Sequence, residues 1–133
     1  MKKYLTIMGL LGLAACSGVP SNIDGDHVFY AFDSAVITDE AREALKDQAL
    51  YMKKNPTHNV VVEGRCDERG TVEYNLALGA LRAGNAAHVL IRNDIEPERI
   101  KTISYGKERP AVLGNNETAW AQNRRAVTVV AGN

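Results

Sequence analysis

A chain of 133 residues, 45% hydrophobic and 24% charged, has the makeup of one globular domain with enough apolar material for a buried core. Sixteen Lys and Arg balance sixteen Asp and Glu; setting aside Lys2 and Lys3, in an N-terminal targeting segment, leaves 14 basic against 16 acidic residues, a net charge of −2. That excludes the strongly basic face of a nucleic-acid binder, so recognition must come from local charge pairs.

Lys2-Lys3 followed by the apolar run Tyr4 to Ala15 reads as a secretory signal, too short to span a bilayer comfortably. The run ends Leu13-Ala14-Ala15-Cys16. This resembles the lipobox of bacterial lipoproteins and implies cleavage before Cys16 and acylation of that cysteine. Two or three acyl chains anchor stably where one is marginal. Ser17, with no Asp there, favours the outer membrane by resemblance to the sorting rule of Gram-negative lipoproteins. With Cys16 bearing lipid, Cys66 has no intrachain partner, so the domain is not a disulfide scaffold. Residues 17–26 are small, polar and rich in Gly and Pro, and read as a tether of roughly 35 Å at full extension. The expected organisation is a signal peptide over 1–15, lipidated Cys16 with a flexible tether over 16–26, and a folded domain over 27–133.

His27 to Phe32 alternates as a first strand, ended by Asp33-Ser34. Thr38 is a good N-cap, with Asp39 and Glu40 in the first turn. Ala41, Leu45, Gln48/Ala49 and Met52 then recur at helical spacing up to Lys53-Lys54, and Asn55-Pro56 stops the helix. Asn59 to Glu63 is a β-branched run and reads as a central strand. Tyr74, Leu78, Leu81, Ala86 and Val89/Leu90 mark a helix to about Arg92; Gly79 and Gly84 weaken its propensity but allow close packing on the sheet. Pro97-Glu98-Arg99 is a single turn, and Ile100 to Tyr105 a third strand. Gly106 to Asn116 is a loop, Glu117 to Arg124 a short helix, and Ala126 to Ala131 a terminal strand. The order β-α-β-α-β-(short α)-β predicts an α/β two-layer sandwich, with a mixed sheet of about four strands and two long helices on one face.

The chemistry concentrates in Arg65-Cys66-Asp67-Glu68-Arg69-Gly70, a charge-dense loop between the central strand and the second long helix. Asp67 in that loop and Arg82 on the following helix can form a paired-charge pocket. A carboxylate takes an ammonium and a guanidinium takes a carboxylate, so the pocket suits a zwitterion. An ordinary structural ion pair fits the spacing equally well. Cys66, with His27, His58 and His88 elsewhere, also admits a Cys-dependent cell-wall hydrolase. No His stands in a recognised relation to Cys66, and a small residue packed at a strand end is the simpler reading. No zinc spacing and no phosphate-loop spacing is present, so no metal, cofactor or catalytic residue is expected.

Asp67, Gly70, Asn75, Leu78, Arg82 and Ala83 stand in the pattern D-x-x-G-x-x-x-x-N-x-x-L-x-x-x-R-A, and Asn123-Arg124-Arg125 precedes a final strand. This resembles the OmpA-like peptidoglycan-binding family, over about residues 27 to 131. The resemblance implies an OmpA-like fold and no enzymatic activity. It implies non-covalent binding of peptidoglycan stem peptides through meso-diaminopimelate, with Asp67 for the ammonium and Arg82 for the carboxylate. Phe32, Asp33, Asn75 and Leu78 would line the same pocket. It implies a lipid-anchored protein on the periplasmic face of the outer membrane, within the Tol-Pal envelope and division system. A TolB-like periplasmic partner would meet Glu73-Tyr74 and Tyr105 to Pro110. Many relatives have His before a small residue ahead of the Asp; here Arg65-Cys66 add positive charge and a thiol. The tether also looks shorter than in many relatives. A purely structural lipoprotein is a third reading, against which the Asp67/Arg82 pair argues.

Overall fold

The computed structural model describes residues 18–131. The expected signal peptide and the lipidation site Cys16 lie outside the described residues. The elements are β1 (His27–Phe29), α1 (Asp39–Lys54), β2 (Asn59–Arg65), α2 (Val72–Arg92), a 3-10 turn (Pro97–Arg99), β3 (Ile100–Gly106), α3 (Glu117–Asn123) and β4 (Arg125–Ala131). Side-chain oxygens cap all three α-helices: Thr38 accepts from the Ala41 amide, Thr71 from Tyr74 and Asn116 from Ala119, each at 3.0 Å. Each cap satisfies an amide that the first turn would otherwise leave unpaired.

The strands form one sheet in the order β1-β4-β2-β3. β2 and β3 are parallel, as a helical crossover requires, and β4 runs antiparallel to β1 and β2. The result is the expected mixed two-layer sandwich. Val60 and Val62 of β2, Val28 of β1 and Ala126 of β4 alternate toward the helices. They meet Leu45, Ala49 and Met52 of α1 and Ala83, Ala86 and Leu90 of α2 in the core. Thr128 is also buried there, and its hydroxyl is satisfied by Gln48 Oε1 at 2.6 Å.

Close approach of α2 to β2 is set by two glycines. A Cβ on Gly64 would stand 1.7 Å from the Gly79 carbonyl oxygen, so the helix rests directly on strand backbone. Gly84 departs from the expectation of a packing role, because nothing lies within 4 Å of where its Cβ would be. Gly84→Ala should therefore stabilise the domain by about 0.5–1 kcal/mol through helix propensity, read as a raised denaturant midpoint at unchanged m-value.

Two segments differ from the sequence reading. The first strand ends at Phe29, not Phe32; Tyr30 still donates its amide to Arg124 O at 3.0 Å, after which the chain turns and Asp33 takes a left-handed φ of 52°. Part of the expected tether is also not free. Ile23 is 0% exposed and belongs to the core. Gly25 donates to Thr128 O at 2.8 Å and Thr128 donates to Asp26 O at 2.7 Å, extending the β1–β4 pairing. Val130 donates to Asp24 Oδ1 at 2.9 Å. A run without strong periodicity hid one apolar anchor, and the residues that follow it pair with the far end of the chain. Ile23→Ala should cost about 2–3 kcal/mol, as deletion of a buried aliphatic side chain does, and a thermal melt would show it.

Candidate functional site

The loop after β2 rises from the C-terminal end of a central strand and runs straight into the N-terminus of α2, a place where α/β folds put ligands. Gly70 turns it with a φ of 97°, a conformation that L side chains rarely adopt. Asn75, 2% exposed, clamps the loop from inside, donating through Nδ2 to Arg69 O at 2.7 Å and to Thr71 O at 3.0 Å. Lys107 at the end of β3 adds a bond to Gly70 O at 2.5 Å. The loop is thus built rather than loose.

Beside it opens a cleft of about 460 Å³, lined by Phe32, Asp33, Cys66, Asp67, Arg69, Gly70, Thr71, Tyr74, Asn75, Leu78 and Arg82. All six residues singled out as a pocket, Phe32, Asp33, Asp67, Asn75, Leu78 and Arg82, border this one space. They come from three places in the chain, the turn after β1, the loop after β2 and helix α2, and meet because β1 and β2 flank β4 in one sheet.

Arg82 is 1% exposed. Its Nε donates to Ser34 O at 2.9 Å, Nη1 to Arg65 O at 3.0 Å and Nη2 to Ala31 O at 3.2 Å. Three of five guanidinium N–H groups are thereby spent on backbone, leaving about two for the cleft. Burial draws its pKa down, with Cys66 and Asp67 opposing; an arginine stays charged regardless. The Tyr30 hydroxyl donates to the Arg82 carbonyl at 2.8 Å and holds the helix at that level. Burial also pushes the Tyr30 phenol well above its ordinary range, so it remains a donor.

Asp67 is 5% exposed. It does not pair with Arg82 directly. Its Oδ1 accepts from the Arg69 amide at 3.0 Å and from Arg69 Nε at 3.3 Å, and Oδ2 accepts from Arg69 Nη2 at 2.8 Å. Arg124 Nη1 stands 3.7 Å from Oδ2. Burial pushes the carboxyl up, but the Arg69 hydrogen bonds and charge, with Arg124 behind, outweigh it and hold Asp67 below its usual range. Of about four lone-pair sites on a carboxylate, three are filled, and one on Oδ2 remains for an incoming cation.

Arg69 was not among the residues expected in the pocket. Its guanidinium lies between two rings, 4.1 Å from the Phe32 centroid and 3.9 Å from that of Trp120. Trp120 is itself fixed by donating to Glu68 Oε2 at 2.9 Å. Arg124 backs the carboxylate from the far end of the chain, held by Tyr30 O and Glu117 at 2.9 Å each. Tyr74, also missed, donates its hydroxyl to Asp33 at the rim. Only Arg69 had a local signal, a guanidinium two residues after the Asp. Tyr74 reaches Asp33, Trp120 reaches Glu68, and Arg124 reaches Asp67 and Tyr30, each across more than 40 residues of sequence.

Two residues left open by the sequence are placed. Arg65 lies on the helix-free face of the sheet, paired with Glu63 and donating to Arg109 O at 2.9 Å; only its backbone carbonyl serves the cleft, through Arg82. Cys66 borders the cleft but donates its thiol to Asn75 O at 3.2 Å. Burial pushes that thiol up, although Arg82 opposes it, which is the wrong direction for a nucleophile. His27 bonds Gly25 O, and His58 bonds Tyr51 at the opposite end of the sheet, so neither serves Cys66.

Comparison with known proteins agrees with this architecture. The family model described as "OmpA family" matches residues 29–124. The chain is 42% identical over 130 residues to the peptidoglycan-associated lipoprotein of Brucella melitensis, covering 93% of this chain and 77% of that protein. It is 45% identical to that of Haemophilus influenzae, covering 96% and 95%. The crystal structure of the peptidoglycan-associated lipoprotein from Burkholderia pseudomallei superposes with a TM-score of 0.77 at 40% identity, covering 79% of this chain and 89% of that one. The C-terminal domain of Helicobacter pylori MotB shares the fold at a TM-score of 0.75 and 20% identity, covering 81% and 85%. Motif order, sheet topology and these likenesses converge: the chain belongs to the OmpA family, among the peptidoglycan-associated lipoproteins.

Proposed function

We propose that this chain is a lipid-anchored envelope protein that holds the cell wall without chemical reaction. Its ligand is the side-chain end of meso-diaminopimelate in a peptidoglycan stem peptide. The observation that carries the reading is that Asp67 and Arg82, of opposite charge, border one cleft whose size suits a few residues of peptide. The ammonium takes the open lone pair of Asp67, and the carboxylate takes the free N–H pair of Arg82. Phe32 and Leu78 cover the methylenes between, and Thr71 and Tyr74 supply hydroxyls at the rim. Cys16, acylated, places the domain on the periplasmic side of the outer membrane. Family membership further supports a place in the Tol-Pal system, with a TolB-like protein meeting exposed Tyr74 and the Tyr105 to Pro110 segment.

Calorimetric titration with two stem peptides tests this. A peptide ending in meso-diaminopimelate should bind at least about 10-fold tighter than one with L-lysine, which keeps the ammonium but lacks the carboxylate that Arg82 needs. Equal affinities would remove Arg82 from the site.

A further inference from the structure

We infer that the anchored protein is a short-leash spacer. Its cleft, at the pole opposite the lipid-bearing segment, lies on average farther from the bilayer than the attached pole and engages only wall within about 50 Å of the membrane surface. This rests on acylation of Cys16 and on the wall-binding reading of the cleft.

The argument begins at Ile23, which is fully buried, so free chain ends there. Asp24 and Gly25 are hydrogen-bonded to Val130 and Thr128, toward the end of β4. β4 runs from Arg125, opposite Arg65, to Ala131, opposite Asn59. The cleft is built on the loop that follows Arg65. Attachment and cleft therefore lie at opposite ends of the sheet, and the seven residues of β4 span about 20 Å between them. The 21-residue helix α2 runs the same way, with its capped start at the cleft and its end at the attached pole, and spans about 30 Å.

Between Cys16 and Ile23 stand the six residues Ser17–Asn22. Fully extended they reach about 20 Å. Leash and domain together reach about 50 Å. A leash of that length is shorter than the body it holds, so the domain cannot stand inverted beneath its attachment, and the bilayer excludes the downward tilts more than the upward ones. Had the chain remained free to Asp26, the added reach would have been about 14 Å. The docking of Ile23 thus shortens the reach and fixes the attachment at the pole opposite the cleft.

Energy transfer on the full-length acylated protein tests this. The protein would carry Cys66→Ser, or Cys66→Ala should the serine variant misfold. It would be reconstituted in phosphatidylethanolamine–phosphatidylglycerol vesicles with an acceptor dye at the bilayer surface. Donors would sit at Lys53→Cys, at the attached pole, or Leu113→Cys, at the cleft pole. The Leu113 probe should lie farther from the bilayer on average than the Lys53 probe, by up to about 20–30 Å, and no farther than about 50 Å in all. Inserting ten Gly/Ser residues between Pro20 and Ser21 should abolish the upper bound. Equal distances, a nearer Leu113 probe, or a mean beyond 50 Å without the insertion would overturn the inference. Mass spectrometry of the mature N-terminus and stem-peptide binding to vesicles carrying the acylated protein with Cys66 intact separate the cases. Missing acyl chains or missing peptide binding sinks the underlying reading, whereas wrong distances with both present sink the spacer alone.

Discussion

Asp67→Asn should lower co-sedimentation of the domain with purified sacculi by about 10- to 100-fold, the loss expected when a charge-assisted hydrogen bond to an ammonium is removed. The amide is nearly isosteric, so packing is kept. The cleft is left with Arg69 and Arg82 and with Arg124 behind them, a field that repels the ligand ammonium. Circular dichroism should show a folded domain, and wild-type sedimentation by this variant would dismiss Asp67 as the receptor. Arg82 needs a different design. Truncation to Ala would strand the carbonyls of Ala31, Ser34 and Arg65 around a buried hole and would confound binding with unfolding. Arg82→Lys keeps the charge but not the planar fork, so it should weaken sedimentation while leaving a measurable fold.

The same carboxylate sets an acid limit. Its folded pKa lies below the ordinary value, so its contribution to stability is complete above the unfolded pKa of about 3.9. That contribution is lost as pH falls through the lower, folded value. Sacculus binding through Asp67 should accordingly hold at neutral and mildly acidic pH and fail only below the usual carboxylate range. A midpoint near neutrality would point to another titrating group.

The largest stability effect should come from Gly64→Ala. Its new methyl group would stand 1.7 Å from the Gly79 carbonyl oxygen, a backbone atom that no rotamer change can move. Helix and strand must separate, at a cost of about 3 kcal/mol or more, lowering Tm by roughly 10 °C or more. Tyr74, Asn75, Leu78 and Arg82 ride on that helix, so ligand binding should fall even in the folded fraction. Gly79→Ala is the control. Its methyl group meets Ser104 Oγ at 2.3 Å, a side chain that can rotate away, so the loss should be smaller and partly relieved by Ser104→Ala. Equal effects from the two substitutions would show that the Gly64 contact is not the limiting one.

Much of this was legible in one dimension. Apolar periodicity located both long helices and the two inner strands, because side chains facing one core must repeat at 3.6 or 2 residues. The cap Thr38 acts within three residues of itself, so its chemistry is local and was readable; Thr71 caps α2 in the same way and was not read. The spaced motif from Asp67 to Arg82 marked the cleft, since loop and helix are consecutive and their relation survives in the sequence. The placement of Phe32 and Asp33 beside them came by resemblance. Asn75 was expected as wall and proves to be a clamp as well, a distinction that needs the loop backbone in place.

Tertiary structure alone decided the rest. In sequence, Asp67 and Arg82 fit a direct ion pair as well as a shared pocket; folded, each is held by different partners, Arg69 and Arg124 for one and three backbone carbonyls for the other. Arg124 reaches the cleft because β4 inserts between β1 and β2, a choice of strand order that no local pattern encodes. Ile23 docks in the same core, and residues 23–26 of the expected tether become part of the domain. Local chemistry is written along the chain, where neighbours are neighbours. Long-range pairing depends on which faces bury together, and that free energy is shared over the whole core rather than carried by any one segment.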